Sequence, residues 1–214
     1  MQSGRPTSLD AEVDRAHCAF CQQSTLTRYI LKETPNFRLI TDHAPLVEGH
    51  LLIIPKTHYS CYGDIPPSLD EEIFSLKDEV KLFFERYYSP VIFWEHGIFR
   101  QTVYHAHLHC FPFGPIDYGL DEELHARIVH SQDDIRSWFK TNGPYFYMED
   151  KRHALLFKPD VNIYMKVIQE VLWRRANSKN GHREWRVPQQ RLEDGKPLIQ
   201  SVITHWREFQ EQGV

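Results

Sequence analysis

Three imidazoles alternate with apolar residues at His105, His107 and His109. They lie in residues 102–113, a run that reads as one β-strand, where side chains alternate between two faces. On that reading Val103, His105, His107, His109 and Phe111 share one face, and Tyr104, Ala106, Leu108 and Cys110 the other. Three histidines on one strand face are a poor packing solution, because each ring carries two polar nitrogens that need partners when buried. Imidazole titrates near neutral pH, ligates metals and attacks phosphorus or carbonyl centres. The central ring, His107, is suited to nucleophilic attack on phosphorus. Its neighbours are suited to fix its tautomer, donate to oxyanions or hold a metal. Gln101 and Thr102, just upstream, supply neutral donors for a phosphate oxygen.

A second group is Cys18-Ala-Phe-Cys21. This spacing brings two thiolates within reach of one Zn²⁺, or makes a redox pair. Zinc needs two more ligands, for which His17, His50, His58 and one histidine of the triad strand are available. A redox pair would be expected directly before a helix, whereas a polar stretch follows here. A third group is residues 49–58, Gly-His-Leu-Leu-Ile-Ile-Pro-Lys-Thr-His. It reads as a buried strand that ends at Pro55 and delivers Lys56 and His58 at its end.

The elements that must position these groups are legible over the first half. Short strands are expected at residues 29–31, 37–41 and 50–54, with turns at Pro35-Asn36 and residues 44–49. A helix follows, with Ser68 as N-cap and Glu71 completing a capping box. Leu69, Ile73, Leu76, Val80, Phe83 and Tyr87 form its apolar stripe, and Pro90 stops it. Residues 91–94 read as a buried strand before the histidine strand. A helix between antiparallel strands implies an α+β domain with helices on one side of a sheet. In the second half, residues 124–139 read as helix in two pieces and residues 144–148 and 154–157 as a hairpin. Residues 161–175 read as helix, 178–194 as a polar loop around Trp185, and 198–209 as a last helix. Arg174, Arg175, Lys179, Arg183 and Arg186 form a basic run, read as a solvated face or a phosphate contact.

The 214 residues are enough for one large domain or a domain with an extension, and 41% apolar residues can bury a core. A net charge of −4 argues against a bulk nucleic-acid or membrane-surface binder. No apolar run reaches membrane-span length. Residues 1–14 are polar, lack the apolar core of a signal peptide, and are expected to be a disordered leader. With Cys18, Cys21, Cys61 and Cys110 as the four cysteines, reduced thiols in a cytoplasmic chain are expected.

Together these motifs resemble the histidine-triad superfamily of nucleotidyl hydrolases and transferases, over about residues 17–115. His105-x-His107-x-His109 followed by Cys110-Phe111 resembles the core signature, and Gln101-Thr-Val-Tyr-His105 the lead-in of bacterial members. Gly49-His50…Ile54-Pro55-Lys56-Thr57-His58 resembles the family's Gly-His-x-Leu-Val-Ile-Pro-Lys-x-His strand. Asp42 has the spacing of its ribose-binding aspartate, and Cys18-x-x-Cys21 resembles the half-site of its zinc-containing branch.

The resemblance implies an antiparallel sheet with flanking helices over residues 15–115 and a C-terminal α/β extension over 116–214. It implies His107 as the nucleophile on a nucleotide α-phosphorus, His109 at the phosphate and leaving group, and His105 orienting the triad or ligating zinc. Cys18, Cys21, His58 and His105 would hold structural Zn²⁺. Asp42 would bind ribose, Gln101 and Thr102 phosphate oxygens, and Ile40, Thr41 and His43 would flank the base. It also implies a homodimer.

The chain departs from the family at Trp94-Glu-His-Gly97, where hydrolases place Asn near a Gly. Glu95 would repel phosphate if it faced the site, and His96 would replace the missing contact. Residues 91–95 resemble instead a distant branch related to RNA-lariat debranching cofactors. The expected activity is hydrolysis of dinucleoside polyphosphates or nucleoside phosphoramidates through a covalent nucleotidyl-histidine. A nucleotidyl transferase or phosphorylase is the second reading, and a nucleotide- or RNA-binding adaptor with little catalysis the third.

Overall fold

A computed structural model describes residues 17–114, 126–168 and 188–213. Among these residues eight antiparallel strands form one sheet: β1 (Ile30–Glu33), β2 (Phe37–Thr41), β3 (Leu51–Pro55), β4 (Ile92–Glu95), β5 (Leu108–Phe111), β6 (Arg127–Ile128), β7 (Phe146–Glu149) and β8 (Ala154–Phe157). Their order is β1-β2-β3-β5-β4-β7-β8-β6. The hairpin expected at residues 144–157 forms as β7 and β8, and it pairs with β4 through Trp94 opposite Met148. The second half of the chain therefore extends the sheet of the first half.

Every residue of β2 and β3 is buried. A strand covered on both faces reads as a continuous apolar run, and Leu51-Leu-Ile-Ile54 is one. One face carries Leu39, Leu51, Ile53, Phe93, Leu108 and Cys110. Against it pack helix α1 (Asp70–Tyr87), through Ile73, Leu76, Val80, Phe83 and Phe84, helix α2 (Gln132–Asn142), through Ile135, and the C-terminal helix. The other face carries Ile40, Leu52 and Ile54, covered by Cys18, Phe20 and Leu26, and Ile92, Trp94, Phe111 and Phe146, covered by Tyr164 and Val167. These last two belong to helix α3 (Val161–Val167). Helices thus lie on both sides of the sheet, not one, because the added strands carry apolar residues on both faces.

Other expectations are corrected. Helix α1 starts without a Ser68 cap: a 3₁₀ turn at Pro67–Leu69 leads into it and no side chain caps it. Proline suits a first helical turn, where its missing N–H has no partner to lose. The capping box lies instead at Ser131 and Asp134, at the start of α2. Residues 127–128, read as helix, form β6 against β8. The last helix, α4, runs from Pro188 to Glu211, so residues 188–194 are helical rather than loop. Gly195 and Pro197 disguise it in the sequence, while buried Val202, Trp206 and Phe209 anchor it. The leader, the basic residues 174–186, Trp185 and the ends of the helices expected at 124–139 and 161–175 lie outside the described residues.

The histidine strand is also shorter than expected. Only Leu108–Phe111 pairs in the sheet, and residues 102–105 bend. Gln101 is the physical reason. Its side-chain Nε2 donates to the carbonyls of Ser60, Val103 and His105 at 3.3, 2.6 and 2.9 Å, and its Oε1 accepts from Ile98 N–H at 3.0 Å. These bonds replace a strand ladder with a folded turn.

Candidate functional site

The bend separates the three histidines. His109, opposite Leu52 and Trp94 in the ladder, stays on the sheet face that carries Ile40 and Ile54. His107 precedes it on that face. His105 turns towards the N-terminal segment, where its ring meets Phe20 edge-on at 5.8 Å and His58 at 4.9 Å.

Three hydrogen bonds fix where the protons sit. A carbonyl only accepts, so Nδ1 of His107 donates to His105 O at 2.7 Å and leaves its Nε2 lone pair free. Leu46 N–H donates to His50 Nδ1 at 3.3 Å, which puts the His50 proton on Nε2. That Nε2–H donates in turn to His109 Nδ1 at 2.9 Å, so His109 carries its proton on Nε2. His109 Nε2 is buried with no partner among the described residues. An open lone pair and a donor with no acceptor among the described residues thus stand in adjacent rings, 4.9 Å apart. Burial lowers the pKa of His107, holds His109 well below the usual range and pushes His50 to about 4. All three rings are therefore neutral at neutral pH.

Beside them lies a cavity of about 290 Å³, lined by His107, His109, Thr102, Val103, Ile40, Thr41, Asp42, His43, Leu52 and the N-terminal residues Phe20, Leu26, Arg28 and Tyr29. Seven of the expected site residues meet here: Ile40, Thr41, Asp42, His43, Thr102, His107 and His109. Thr41 Oγ1 is a buried hydroxyl without a partner among the described residues. Asp42 lies 3.7 Å from His50 Nε2 and 3.5 Å from His43 Nδ1. Gln101 does not line the cavity, since its amide is occupied by backbone. Phe20, whose ring lies edge-on to His107 at 5.3 Å, is a site residue that its place between two cysteines masks in the sequence.

His105 belongs to a different cluster. Its Nε2 donates to Pro55 O at 2.8 Å, leaving Nδ1 as a lone pair. That nitrogen lies 3.4 Å from Cys18 Sγ and 3.5 Å from Cys21 Sγ, while His58 Nδ1 lies 3.3 Å from Cys21 Sγ. All four donor atoms fall within 4.8 Å of one another. The sulfur–nitrogen separations match the ~3.5 Å edge of a tetrahedron with sulfur and nitrogen ligands. This Cys₂His₂ cluster could hold a metal ion. His17, a candidate from sequence, is outside it, and His50 serves His109.

The two departures from the family pattern resolve by strand alternation. Trp94 faces the triad, so Glu95 faces away and is buried among α1-side residues. It accepts from Tyr62 N–H and Tyr145 O–H at 2.7 Å each, and burial pushes its pKa up to about 7. The feared repulsion of phosphate therefore has no geometric basis. His96 turns back to the triad, with ring contacts of 5.5 Å to His109 and 6.3 Å to His107.

Residues 23–114 match the family model described as HIT domain. Over 115 residues the chain is 30% identical to the adenosine 5'-monophosphoramidase of Saccharomyces cerevisiae, an alignment spanning 50% of this chain and 66% of that protein. Over 112 residues it is 26% identical to the asymmetrical bis(5'-nucleosyl)-tetraphosphatase of Schizosaccharomyces pombe, spanning 50% of this chain and 61% of that protein. A hypothetical histidine triad nucleotide-binding protein of Sulfolobus tokodaii superposes with a TM-score of 0.39 at 23% identity, covering 59% of this chain and 97% of that one. Residues 23–114, which carry the three histidines, thus match the HIT domain that defines the histidine-triad superfamily.

Proposed function

We propose that this protein hydrolyses a nucleotide at its α-phosphate through a covalent nucleotidyl-His107 intermediate. The observation that carries the reading is the pair of fixed tautomers: an open lone pair on His107 Nε2 beside an unanswered N–H on His109 Nε2. A neutral imidazole approaches an anionic phosphate without charge repulsion. Its lone pair forms a bond to phosphorus, and the bond to the leaving group breaks with its electron pair on the leaving group. The His109 N–H donates to the oxygen on which charge develops. Water then attacks phosphorus, the P–N pair returns to His107 Nε2, and the water proton passes to solvent.

Asp42 takes the ribose hydroxyls, Ile40, Thr41 and His43 flank the base, and Thr102 contacts phosphate. Gln101 serves by ordering the bend. The two similar enzymes support dinucleoside polyphosphates and nucleoside phosphoramidates as the substrate classes. Residues 15–115 form the nucleotide-binding core and 116–214 the extension. Cys18, Cys21, His58 and His105 would hold Zn²⁺, the set implied by the resemblance to the zinc-containing branch of the superfamily. With four protein ligands such an ion would be structural, and these residues would tie the N-terminal segment to the triad bend. The chain works in the cytoplasm. Where it forms a homodimer, the interface avoids the outer edge of β4, which β7 covers.

The test is intact-protein mass spectrometry with AMP release, on wild type and His107→Ala, using diadenosine tetraphosphate and adenosine 5'-phosphoramidate. An adenylyl adduct and AMP release that vanish in His107→Ala are expected. Turnover that requires added phosphate would shift the reading to a phosphorylase. Absence of both signals in folded wild type would overturn nucleotidyl chemistry, and RNA binding would then favour an adaptor.

A further inference from the structure

The side of the triad away from the cavity is built from residues that the nucleotide reading does not use. His96 packs against both His107 and His109, yet it does not line the cavity, and neither do Arg100 or Tyr164. Tyr164 stands on α3, beyond the HIT domain, and its hydroxyl lies 3.3 Å from His96 Nδ1. The Arg100 guanidinium sits over the Tyr164 ring at 5.7 Å. Three groups thus run outward from the triad in order: an imidazole, a phenol and a cation.

The backbone beneath them is strained. Ile98 has φ 76° and Arg100 φ 57°, the two non-glycine residues with positive φ among the described residues. For a β-branched residue this conformation is a genuine outlier, and such strain persists only where surrounding structure holds it. Here Ile98 N–H donates to Gln101 Oε1, Phe99 N–H to His96 O, and Ile98 bridges to Tyr145. The loop is therefore held with Arg100 projecting at the rim. Arg100 is exposed and has no carboxylate partner among the described residues. An exposed cation on this side of the triad attracts an anion.

We infer that His96, Arg100 and Tyr164 form a leaving-group subsite selective for an anionic, phosphate-bearing leaving group. The inference rests on the proposed nucleotidyl reading for its place in the reaction. Arg100 supplies a formal positive charge to the phosphate chain. His96 donates to the phosphate chain, and Tyr164 is a positioning residue that holds His96. This gives the C-terminal extension a part in substrate choice. Arg28, in the cavity lining, is the competing cation.

The experiment compares full-length wild type, Arg100→Ala, Tyr164→Phe and Arg28→Ala. kcat/KM is measured for diadenosine tetraphosphate, whose leaving group is polyanionic, and adenosine 5'-phosphoramidate, whose leaving group is ammonia. Loss of a charge-assisted contact predicts a roughly tenfold or greater fall for the tetraphosphate in Arg100→Ala, mainly through KM, and less than about twofold for the phosphoramidate. Tyr164→Phe is expected to shift the same ratio about threefold, whereas a purely structural role would lower both substrates alike. Equal falls for both substrates, or a selective fall in Arg28→Ala instead, would overturn the subsite. Binding of inorganic triphosphate by calorimetry reads the subsite without catalysis. At least fivefold weaker binding by Arg100→Ala upholds it even if wild type turns over neither substrate, and equal binding in that case sinks it.

Discussion

Nε2 of His50 lies 2.9 Å from Nδ1 of His109, and Leu46 N–H closes the chain on the far side of the His50 ring. A backbone amide thereby dictates, through two imidazoles, which nitrogen of His109 carries a proton. His50→Ala should remove that instruction and let His109 present the wrong tautomer. Turnover should fall by roughly 10–100-fold with a smaller change in KM, since His50 does not itself line the cavity beside the triad. Steady-state kinetics on the variant checks this, and unchanged kcat would refute the relay.

Glu95 gives a pH signature of stability. Its carboxyl titrates near 7 when folded and at 4.5 otherwise, so the folded state binds more protons between these values. Stability from this group is present at low pH and is lost as pH rises from 4.5 through 7. His50, with its folded pKa near 4, acts in the opposite sense below 6.5. Urea unfolding of Glu95→Gln between pH 5 and 8 should lack a loss of roughly 2 kcal/mol seen in wild type. Parallel curves would contradict it.

Gln101 holds three carbonyls and one N–H with a single side chain. One of those carbonyls, His105 O, also accepts from His107 Nδ1. Gln101→Ala should therefore cost about 3 kcal/mol of stability and also disorient the nucleophile. Chemical denaturation and single-turnover rates should fall together, and loss of one without the other would separate these two roles.

Metal analysis of the purified protein should find about one zinc per chain, and Cys18→Ser should reduce it to near zero. Chelation should lower the melting temperature of wild type and leave the variant unmoved. A fully stable wild type with no metal would remove the proposed ion.

The continuous apolar run Leu51-Leu-Ile-Ile54 and the period of Ile73, Leu76, Val80 and Phe83 are legible because they are local: a few neighbours along one element suffice to define a strand or a helix face. The helix at residues 188–194 was hidden, since Gly195 and Pro197 are breakers whose cost is offset by packing that no local window contains. Glu95 shows the reverse. Its position one residue after Trp94 already places it on the face opposite the triad, yet whether that face meets solvent or Tyr62 and Tyr145 depends on chain 33 and 50 residues away.

By itself the sequence determined the chemistry available: three imidazoles at period two, a Cys-x-x-Cys with its partner histidines, and an aspartate at a fixed distance from His50. Residue identity and spacing are covalent facts, and they bound the reactions a chain can support. Only the tertiary structure decided that His105 leaves the triad for the cysteines, that His50 sets the tautomer of His109, and that Tyr164 reaches His96. Each is a meeting between residues 59 to 87 apart. A hydrogen bond needs atoms within about 3.5 Å, and chain folding alone brings such distant groups that close.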